Sequence, residues 1–494
     1  MSVRIQLDNP HSFYTNLDFI SGRVILNLTS DEAVSRIVVK VEGESKTRLS
    51  RPPEMLYTQG PNNPPALYSR RDRQEICQEN HKILYKVAEV FPNKAIISSY
   101  TLRAGQHEYP FRIKLPINNG CHDPASQQMG PGSGFGGLGI QSMQQMQYTH
   151  VKRTLPPSLT GFPGEAEIRY YVKVTVQRPS MFKENRRSTI GFKFLPIEAP
   201  RPPETTNEAF AKRPFMFQNG GPTYAKKGLF TKKPKQLSNT SPQGEVDARL
   251  PSPPILTCNK PLPMRILLRR TNTSPEHVFL MSLQVNLLGT TEVKASDVIR
   301  VETSTWVVMS LTGLSIPIGS PDDPIGTETA IDSKLWDAIP LPNTVAPSFV
   351  TCNLARRYEL EARIGLGYGY PGEIQSQTIS IPLRFKIEIF SGIEPPAALL
   401  DAMTAYPHIP VRPPVNTAPP PFDPAFPPQV GAPGAPALDD APPSYEDALA
   451  EDITQANGTS RPAYSGVTNE NAPGIDEKGG LSSGHQKGEA SRTG

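Results

Sequence analysis

Long apolar runs are missing from this 494-residue chain, and the amino-terminal residues MSVRIQLDNPHSF lack the apolar stretch of a secretory signal. The sequence therefore predicts a protein that stays inside the cell and crosses no bilayer. The chain also lacks a large excess of either charge, because its formal net charge is only +4. Any electrostatic role is expected of a local patch rather than of the whole chain.

Cysteine is scarce, and no two cysteines form a C-x-x-C pair. This usage is typical of a reducing compartment and predicts neither a disulfide framework nor a zinc site. The eight histidines are scattered without metal-ligand spacing, so no metal and no cofactor are predicted. The cysteines are expected to be structural thiols, at Cys77, Cys121, Cys258 and Cys352.

Motifs of the common enzyme classes are missing as well, including G-x-S-x-G, the P-loop and H-E-x-x-H. The GFGGLG string at 134–139 has dinucleotide-binding spacing, but it follows no predicted strand and opens no predicted helix. Cys121, His122 and Asp123 are adjacent on an irregular stretch, which cannot hold a triad geometry. An enzyme that uses Cys121 or Cys352 as a nucleophile remains an alternative hypothesis, but the sequence shows no base paired with either cysteine. The sequence predicts no catalytic residue and no enzyme.

What the sequence does contain is an alternation of apolar and polar residues with a period of two. In the first half it recurs in short segments separated by Gly, Pro and Asn, without a convincing helical stripe. A second group of such segments ends near Phe390. Strands of this kind predict an all-β fold of two antiparallel, immunoglobulin-like β-sandwiches. Clear examples are RVILNL (23–28), RIVVKVE (36–42), FRIKL (111–115), YVKVTVQ (171–177) and LRFKIEIF (383–390).

Three stretches depart from this pattern. Residues 118–147 are rich in Gly, Gln and Met and predict a long flexible loop inserted in the first sandwich. Residues 212–235 contain seven Lys or Arg and no acid. Beyond Gly392 the composition changes, with 16 prolines between Pro395 and Pro443. This segment has too little apolar surface to offset the entropy lost when its backbone is ordered. A disordered proline-rich tail is therefore predicted.

The basic stretch leaves three interpretations open. It is a linker between sandwiches, a contact with an anionic membrane surface, or a nucleic-acid site, since its aromatic residues interleave with the charges. The linker is the simplest account, and no nucleic-acid partner is predicted. Ser241 stands in a Ser-Pro step beside the stretch and is a candidate phosphorylation site, because added charge would cancel local positive potential. Candidate lipid contacts are Lys226, Lys227, Lys232, Lys233 and Lys235.

Several longer strings carry a family resemblance. In the first sandwich they include FYTNLDFISGRVILNL (13–28), YPFRIKLP (109–116) and PPSLTGFPGEAEIRYYVKVTV (156–176). In the second they include SFVTCNLARRYELEARIGLG (348–367) and ISIPLRFKIEIFSGI (379–393). With these strings the chain resembles the arrestins, and more closely the fungal α-arrestins, which are also called arrestin-related trafficking adaptors.

The resemblance covers about residues 1–195 and 225–395, and it implies two arrestin sandwiches joined by a short hinge. The predicted domains are accordingly an N-terminal sandwich over 1–195 and a C-terminal sandwich over 225–395. A basic hinge is predicted between them at 196–224, and the disordered tail at 396–494. The resemblance also implies an absence of catalysis.

The tail contains one full PPxY motif, within DDAPPSYEDALAED (439–452). Two adjacent prolines fix φ at about −65° and favour polyproline II, so the segment is extended before a partner meets it. WW domains bind such segments by packing the prolines into an aromatic groove and the tyrosine into a second pocket. Pro442, Pro443 and Tyr445 are therefore the predicted WW-domain contacts. RPAY (461–464) keeps one proline of the pair and offers candidate auxiliary contacts, Pro462 and Tyr464.

The resemblance then implies a function. α-Arrestins recruit WW-domain HECT-type ubiquitin ligases to membrane transporters or receptors, and ubiquitylation of this cargo triggers its endocytosis. Such an adaptor is expected in the cytoplasm, with recruitment to the plasma membrane and endosomes. In an alternative function with the same fold, the protein is a signalling scaffold for a seven-helix sensor, for example a sensor of ambient pH. Cargo degradation would then not be its main output.

Overall fold

A computed structural model describes the chain in thirteen pieces. Within them the protein is almost entirely β-strand, with a 3-10 turn at Ser333–Leu335 and an α-helix, α1, at Ala397–Ala405. The predicted all-β class is confirmed. No helix among these residues is long and apolar enough to span a membrane. The described residues are 1–8, 10–51, 55–57, 67–69, 75–92, 100–121, 153–162, 164–179, 184–203, 205–217, 241–375, 377–405 and 453.

The first sandwich consists of two sheets that enclose one apolar core. One sheet has the strand order β1-β2-β9, and the other has the order β10-β11-β4-β7 with β12 paired to β11. Two short pairs, β3 with β8 and β5 with β6, lie outside these sheets. The strands are β1 Ser2–Leu7, β2 Phe19–Leu28, β3 Glu32–Val34, β4 Arg36–Ser50, β5 Met55–Tyr57, β6 Leu67–Ser69, β7 Ile76–Phe91, β8 Tyr100–Leu102, β9 Gly105–Lys114, β10 Leu159–Phe162, β11 Ala166–Gln177 and β12 Arg186–Phe192.

The second sandwich is built in the same way. Its smaller sheet has the order β13-β14-β16-β19, and its larger sheet has the order β15-β23-β21-β17-β18, with β20 and β22 paired to β21. The pairing of β15 with β23 is parallel. The strands are β13 Glu208–Met216, β14 Gln243–Pro251, β15 Ile255–Thr257, β16 Arg265–Arg270, β17 His277–Ala295, β18 Val298–Ile318, β19 Glu328–Ala330, β20 Phe349–Val350, β21 Leu354–Tyr370, β22 Glu373–Ile374 and β23 Ile379–Phe390.

Strand β23 shows why these residues form sandwiches. Successive side chains of a strand point to opposite faces, so every second residue meets the core. Leu383, Phe385 and Ile387 are buried in the core of the second sandwich, whereas Arg384 and Lys386 are exposed. Burial of each large apolar side chain contributes about 1.5–3 kcal/mol, which makes this alternation the main local determinant of the strand.

The predicted hinge over 196–224 is partly wrong, because it contains a strand of the second sandwich. Strand β13 pairs with β14 along its whole length, from Glu208 opposite Pro251 to Met216 opposite Gln243. The charged side chains that suggested a linker lie on an edge strand, while the neighbouring aromatic side chain of Phe215 is buried. The five candidate lipid-contact lysines lie outside the described residues.

Two further expectations need correction. Ser241 is fully buried, and its Oγ donates a hydrogen bond to the carbonyl oxygen of Phe217 at 2.8 Å, so this serine is not presented to a kinase. The predicted tail begins later than residue 396, because α1 follows β23 directly and buries Leu399. Most of the predicted insert loop and all of the predicted WW-domain contacts lie outside the described residues.

Glu361 on β21 generates a prediction about acid stability. Its carboxylate is buried and accepts hydrogen bonds from Arg363, from Arg384 Nε at 2.6 Å and from Asn286 Nδ2 at 3.4 Å. Burial by itself raises the pKa of Glu361, but these hydrogen bonds outweigh it and lower the pKa below its ordinary value. The ionised form therefore stabilises the fold above the ordinary carboxyl pKa, and this contribution is lost as the pH falls.

We expect Glu361→Gln to lower the free energy of unfolding by about 1–3 kcal/mol at neutral pH, because hydrogen bonds to a charge are lost. The deficit should shrink as the pH is lowered through the acid range, which urea denaturation at a series of pH values measures. Glu359→Gln, two residues away on the same strand, is the control and should change little. A deficit for Glu361→Gln that does not depend on pH would contradict the assignment.

Candidate functional site

The two sandwiches share a continuous apolar contact. The turn between β17 and β18 and the turn between β20 and β21 reach the first sandwich. Val293, Ala295 and Leu354 of the second sandwich are buried within the core of the first. The sandwiches are therefore packed against each other through side chains that belong to both. This contact is called the junction below.

Asn353 is the polar centre of the junction and is 1% exposed. Its Nδ2 donates to the carbonyl oxygen of Ser45 at 3.1 Å and to Thr47 Oγ1 at 3.3 Å. Its Oδ1 accepts from Ser45 Oγ at 2.6 Å and from Thr351 Oγ1 at 3.2 Å. An amide side chain has two donors and two acceptor positions, so all four are used. Asn353 consequently fixes the β20–β21 turn to one register on β4.

Ion pairs surround this centre. Arg51 Nη2 lies 2.6 Å from Asp297 Oδ1, and Arg300 Nη1 lies 2.6 Å from Glu165 Oε1. Both pairs join the two sandwiches, but their side chains are between about a third and two thirds exposed to water. Pairs of this kind contribute roughly 0–1 kcal/mol each, so they orient the junction more than they hold it together.

A cluster of His81, Cys121 and Cys352 lies beside Asn353. His81 is on β7, Cys121 follows β9, and Cys352 precedes Asn353 in the β20–β21 turn. Cys121 Sγ is 3.4 Å from His81 Nδ1 and 3.6 Å from Cys352 Sγ. The Nε2 atom of His81 is 2.6 Å from Glu79 Oε1. The cluster therefore contains side chains from both sandwiches.

The surroundings of the cluster favour positive charge. Burial by itself lowers the pKa of His81, but hydrogen bonds to Cys352 and Glu79 outweigh this effect and raise the pKa to about 9. The expectation that Cys121 has no paired base is wrong, because the imidazole of His81 adjoins it. Sequence spacing gave no signal of this, since Cys121 is 40 residues from His81 and 231 from Cys352. Cys77 and Cys258 are buried elsewhere, as expected of structural thiols.

A groove of about 1080 Å³ lies along the other side of the junction. Its walls come from the connection between the sandwiches, from β21 and from β23. Arg356 lines it, is 1% exposed, and has an Nη2 atom without a hydrogen-bond partner among the described residues. Arg357 and Lys386 also line the groove, together with Glu198, Glu292, Glu359 and Glu388, and Arg357 Nη1 lies 3.3 Å from Glu292 Oε2. The groove therefore offers both hydrogen-bond donors and acceptors to an extended peptide.

Ile453, the one residue beyond α1 that the structure describes, contacts the folded body. Lys114 Nζ donates a hydrogen bond to the carbonyl oxygen of Ile453 at 2.6 Å. The Ile453 side chain packs on an apolar cluster, called the tail seat below, in which four segments of the chain meet. The tail seat consists of Phe13, Leu17, Ile117, Leu195, Ile197, Ile393 and Leu399.

Asn16 holds the tail seat together. It is fully buried, and its Nδ2 donates to the carbonyl oxygens of Pro116 at 3.0 Å and Ile117 at 2.8 Å. Its Oδ1 accepts from the backbone nitrogen of Ile197 at 2.9 Å. A single side chain thus joins the segment before β2, the segment after β9 and the connection to the second sandwich.

The junction generates a second prediction. Asn353→Ala should lower the free energy of unfolding by about 1–3 kcal/mol, because buried partners on β4 lose their hydrogen bonds. It should also raise amide hydrogen exchange on β4 around Ser45 and Thr47, which mass spectrometry measures. Asn286→Ala is the matched control, because Asn286 is also buried and its side-chain hydrogen bonds among the described residues involve only Gln284 and Glu361 of the second sandwich. Equal exchange on β4 in both variants would contradict the role of Asn353.

Comparison with known proteins bears on this architecture. The family described as "Arrestin (or S-antigen), N-terminal domain" matches residues 3–132, within the first sandwich. A protein named "Arrestin-related trafficking adapter 10" from Eremothecium gossypii is 23% identical over 158 residues, which are 32% of this chain and 33% of that protein. The protein of the same name from Lachancea thermotolerans is 24% identical over 201 residues, 35% of this chain and 41% of that protein.

The similarity thus spans about a third to two fifths of the length of these curated relatives. Arrestins and trafficking adapters are non-enzymatic adaptors, so the prediction that this protein is not an enzyme is confirmed. The matched N-terminal domain, the β-sandwich architecture and the two relatives named as trafficking adapters together support a fungal α-arrestin.

Proposed function

We propose that this protein is an adaptor that binds membrane transporters or receptors and recruits a WW-domain HECT-type ubiquitin ligase, thereby promoting ubiquitin-dependent endocytosis. Ligase binding is assigned to Pro442, Pro443 and Tyr445, with Pro462 and Tyr464 as auxiliary contacts. The protein acts in the cytoplasm and is recruited to the plasma membrane and endosomes. Support comes from the arrestin N-terminal domain and from relatives named as trafficking adapters.

The single observation that carries the proposal is the contact of Ile453 with the tail seat. Ile453 lies eight residues after Tyr445 in the sequence. Eight residues span at most about 29 Å when fully extended, so the PPxY motif is kept within that distance of the folded body. A ligase bound there has a high effective concentration for any cargo held by the sandwiches.

The junction groove is the surface that we assign to cargo. It is concave, and it is lined by donors from Arg357 and Lys386 and by acceptors from Glu292, Glu359 and Glu388. Extended cytosolic tails of membrane proteins expose backbone groups and charged side chains of both signs, which such donors and acceptors bind. The lysines at 226, 227, 232, 233 and 235 would add attraction to anionic lipid during recruitment.

The ligase contact is tested with the full chain. Tyr445→Ala should reduce binding to the isolated WW domains of the host ligase by at least tenfold, because the second pocket of each domain is left empty. Isothermal titration calorimetry measures the dissociation constants. Tyr464→Ala is the matched control at the auxiliary RPAY site and should reduce binding far less. Unchanged binding of the Tyr445 variant would refute the ligase assignment.

Cargo handling separates the adaptor from a signalling scaffold. In cells that lack the protein, surface transporters should be ubiquitylated and internalised more slowly, and the Tyr445→Ala variant should not restore the normal rates. Proximity labelling identifies which transporters to follow. Normal ubiquitylation and internalisation of all labelled transporters would favour a scaffold for a seven-helix sensor instead.

The tail contact makes a separate prediction. Ile453→Asp places a charge against the apolar tail seat, so the tail should detach and the amides around Phe13–Leu17 should exchange hydrogen faster. Cargo ubiquitylation should fall although WW-domain affinity is retained, because the effective concentration of the ligase is reduced. Ile475→Asp makes the same substitution elsewhere in the tail and is the matched control. Identical cargo ubiquitylation in the Ile453→Asp and Ile475→Asp variants would contradict a role of the tail seat in ligase positioning.

A further inference from the structure

The His81–Cys121–Cys352 cluster has the composition of a metal site. One nitrogen and two sulfur atoms, each from a different segment of the chain, lie within 4.8 Å of one another. Imidazole and thiolate are the ligands that zinc prefers among the side chains of proteins. The residues come from both sandwiches, so a cation bound here would connect them.

The spacing of the donor atoms fits a tetrahedral zinc ion. Bond lengths of about 2.3 Å to sulfur and about 2.0–2.1 Å to nitrogen place two sulfurs about 3.8 Å apart and a sulfur and a nitrogen about 3.5 Å apart. The sulfurs of Cys121 and Cys352 are 3.6 Å apart, and Cys121 Sγ is 3.4 Å from His81 Nδ1. A disulfide fits less well, because its sulfurs must approach to about 2.05 Å.

Glu79 orients the histidine as a ligand. An ionised carboxylate only accepts hydrogen bonds, so the His81 Nε2 atom, 2.6 Å from Glu79 Oε1, carries the hydrogen. In the neutral ring the Nδ1 lone pair then points toward the sulfurs. A carboxylate behind a ligating histidine is a recurrent outer shell of zinc sites. The other oxygen of Glu79 accepts from the backbone nitrogen of Ser296 at 3.1 Å, which ties this shell to the second sandwich as well.

We propose that His81 Nδ1, Cys121 Sγ and Cys352 Sγ bind one zinc ion that links the two sandwiches, with water in the fourth position. Binding forms two zinc–sulfur bonds and one zinc–nitrogen bond and displaces the protons held by the two thiols and by His81 Nδ1, without oxidation or reduction. The ion would sit next to Asn353 and hold the β20–β21 turn to β7. This site is independent of ligase recruitment, since it shares no residue with the PPxY motif or the tail seat.

The test measures metal on the full-length protein, produced with added zinc and purified under reducing conditions without chelator. Inductively coupled plasma mass spectrometry should find about one zinc per chain, falling to about a tenth or less in Cys121→Ser, Cys352→Ser and His81→Asn. Cys77→Ser and Cys258→Ser are the matched controls and should retain the zinc. Circular dichroism verifies that each variant is folded.

Cobalt provides a readout that needs no variant. Co²⁺ exchanged into the wild-type protein should give the thiolate-to-cobalt charge-transfer absorption and the intense visible bands of a tetrahedral site, and zinc should abolish both. Removing zinc with a chelator should lower the melting temperature of the wild type and leave that of the folded Cys352→Ser variant unchanged.

Two results would overturn the proposal. The first is wild-type protein that binds less than about one zinc per ten chains in the presence of excess zinc and gives no cobalt spectrum. The second is reduced protein in which the Cys77 or Cys258 control loses as much zinc as the Cys121 and Cys352 variants.

Discussion

The burial of apolar side chains from the second sandwich in the core of the first is the constraint on which the rest of the structure depends. Val293, Ala295 and Leu354 remove apolar surface from water, and a side chain as large as Val or Leu contributes about 1.5–3 kcal/mol when fully buried. This burial is non-directional, so it favours contact without selecting one arrangement. Asn353 selects one arrangement of the two sandwiches, because its four side-chain hydrogen bonds form in only one register of the β20–β21 turn on β4.

The cluster, the groove and the tail seat all lie around that contact. The thiol–imidazole cluster adjoins Asn353, the groove opens along β21, and the tail seat forms where the connection to the second sandwich passes the first. The exposed ion pairs at the rim add little to its strength but restrict rotation of one sandwich on the other. An adaptor of the proposed kind needs such a frame, because the distance between its cargo and its ligase depends on the relative position of its parts.

The sequence predicted the fold class and many strands because alternation is a local property. Strand β23 follows the alternating pattern residue by residue. Strand β13 was not predicted, because basic residues on an edge strand resemble those of a linker. The cluster of His81, Cys121 and Cys352 could not be predicted, because its members meet only after the pairing of β4 with β7 and the junction are fixed. Nor does any local signal mark Ile453 as a residue that packs, whereas the PPxY motif is recognisable from its own four residues.

The tail seat has a thermodynamic consequence. Leu17 and Ile117 belong to the first sandwich, Ile197 to the connection between sandwiches, and Ile393 and Leu399 to the segment after the second. A seat made from all three exists only in one relative position of the sandwiches, so the free energy of tail docking is coupled to the free energy of that position. Coupling of this kind is reciprocal. A cargo that favours another position of the sandwiches must weaken tail docking by the same factor by which tail docking weakens the cargo.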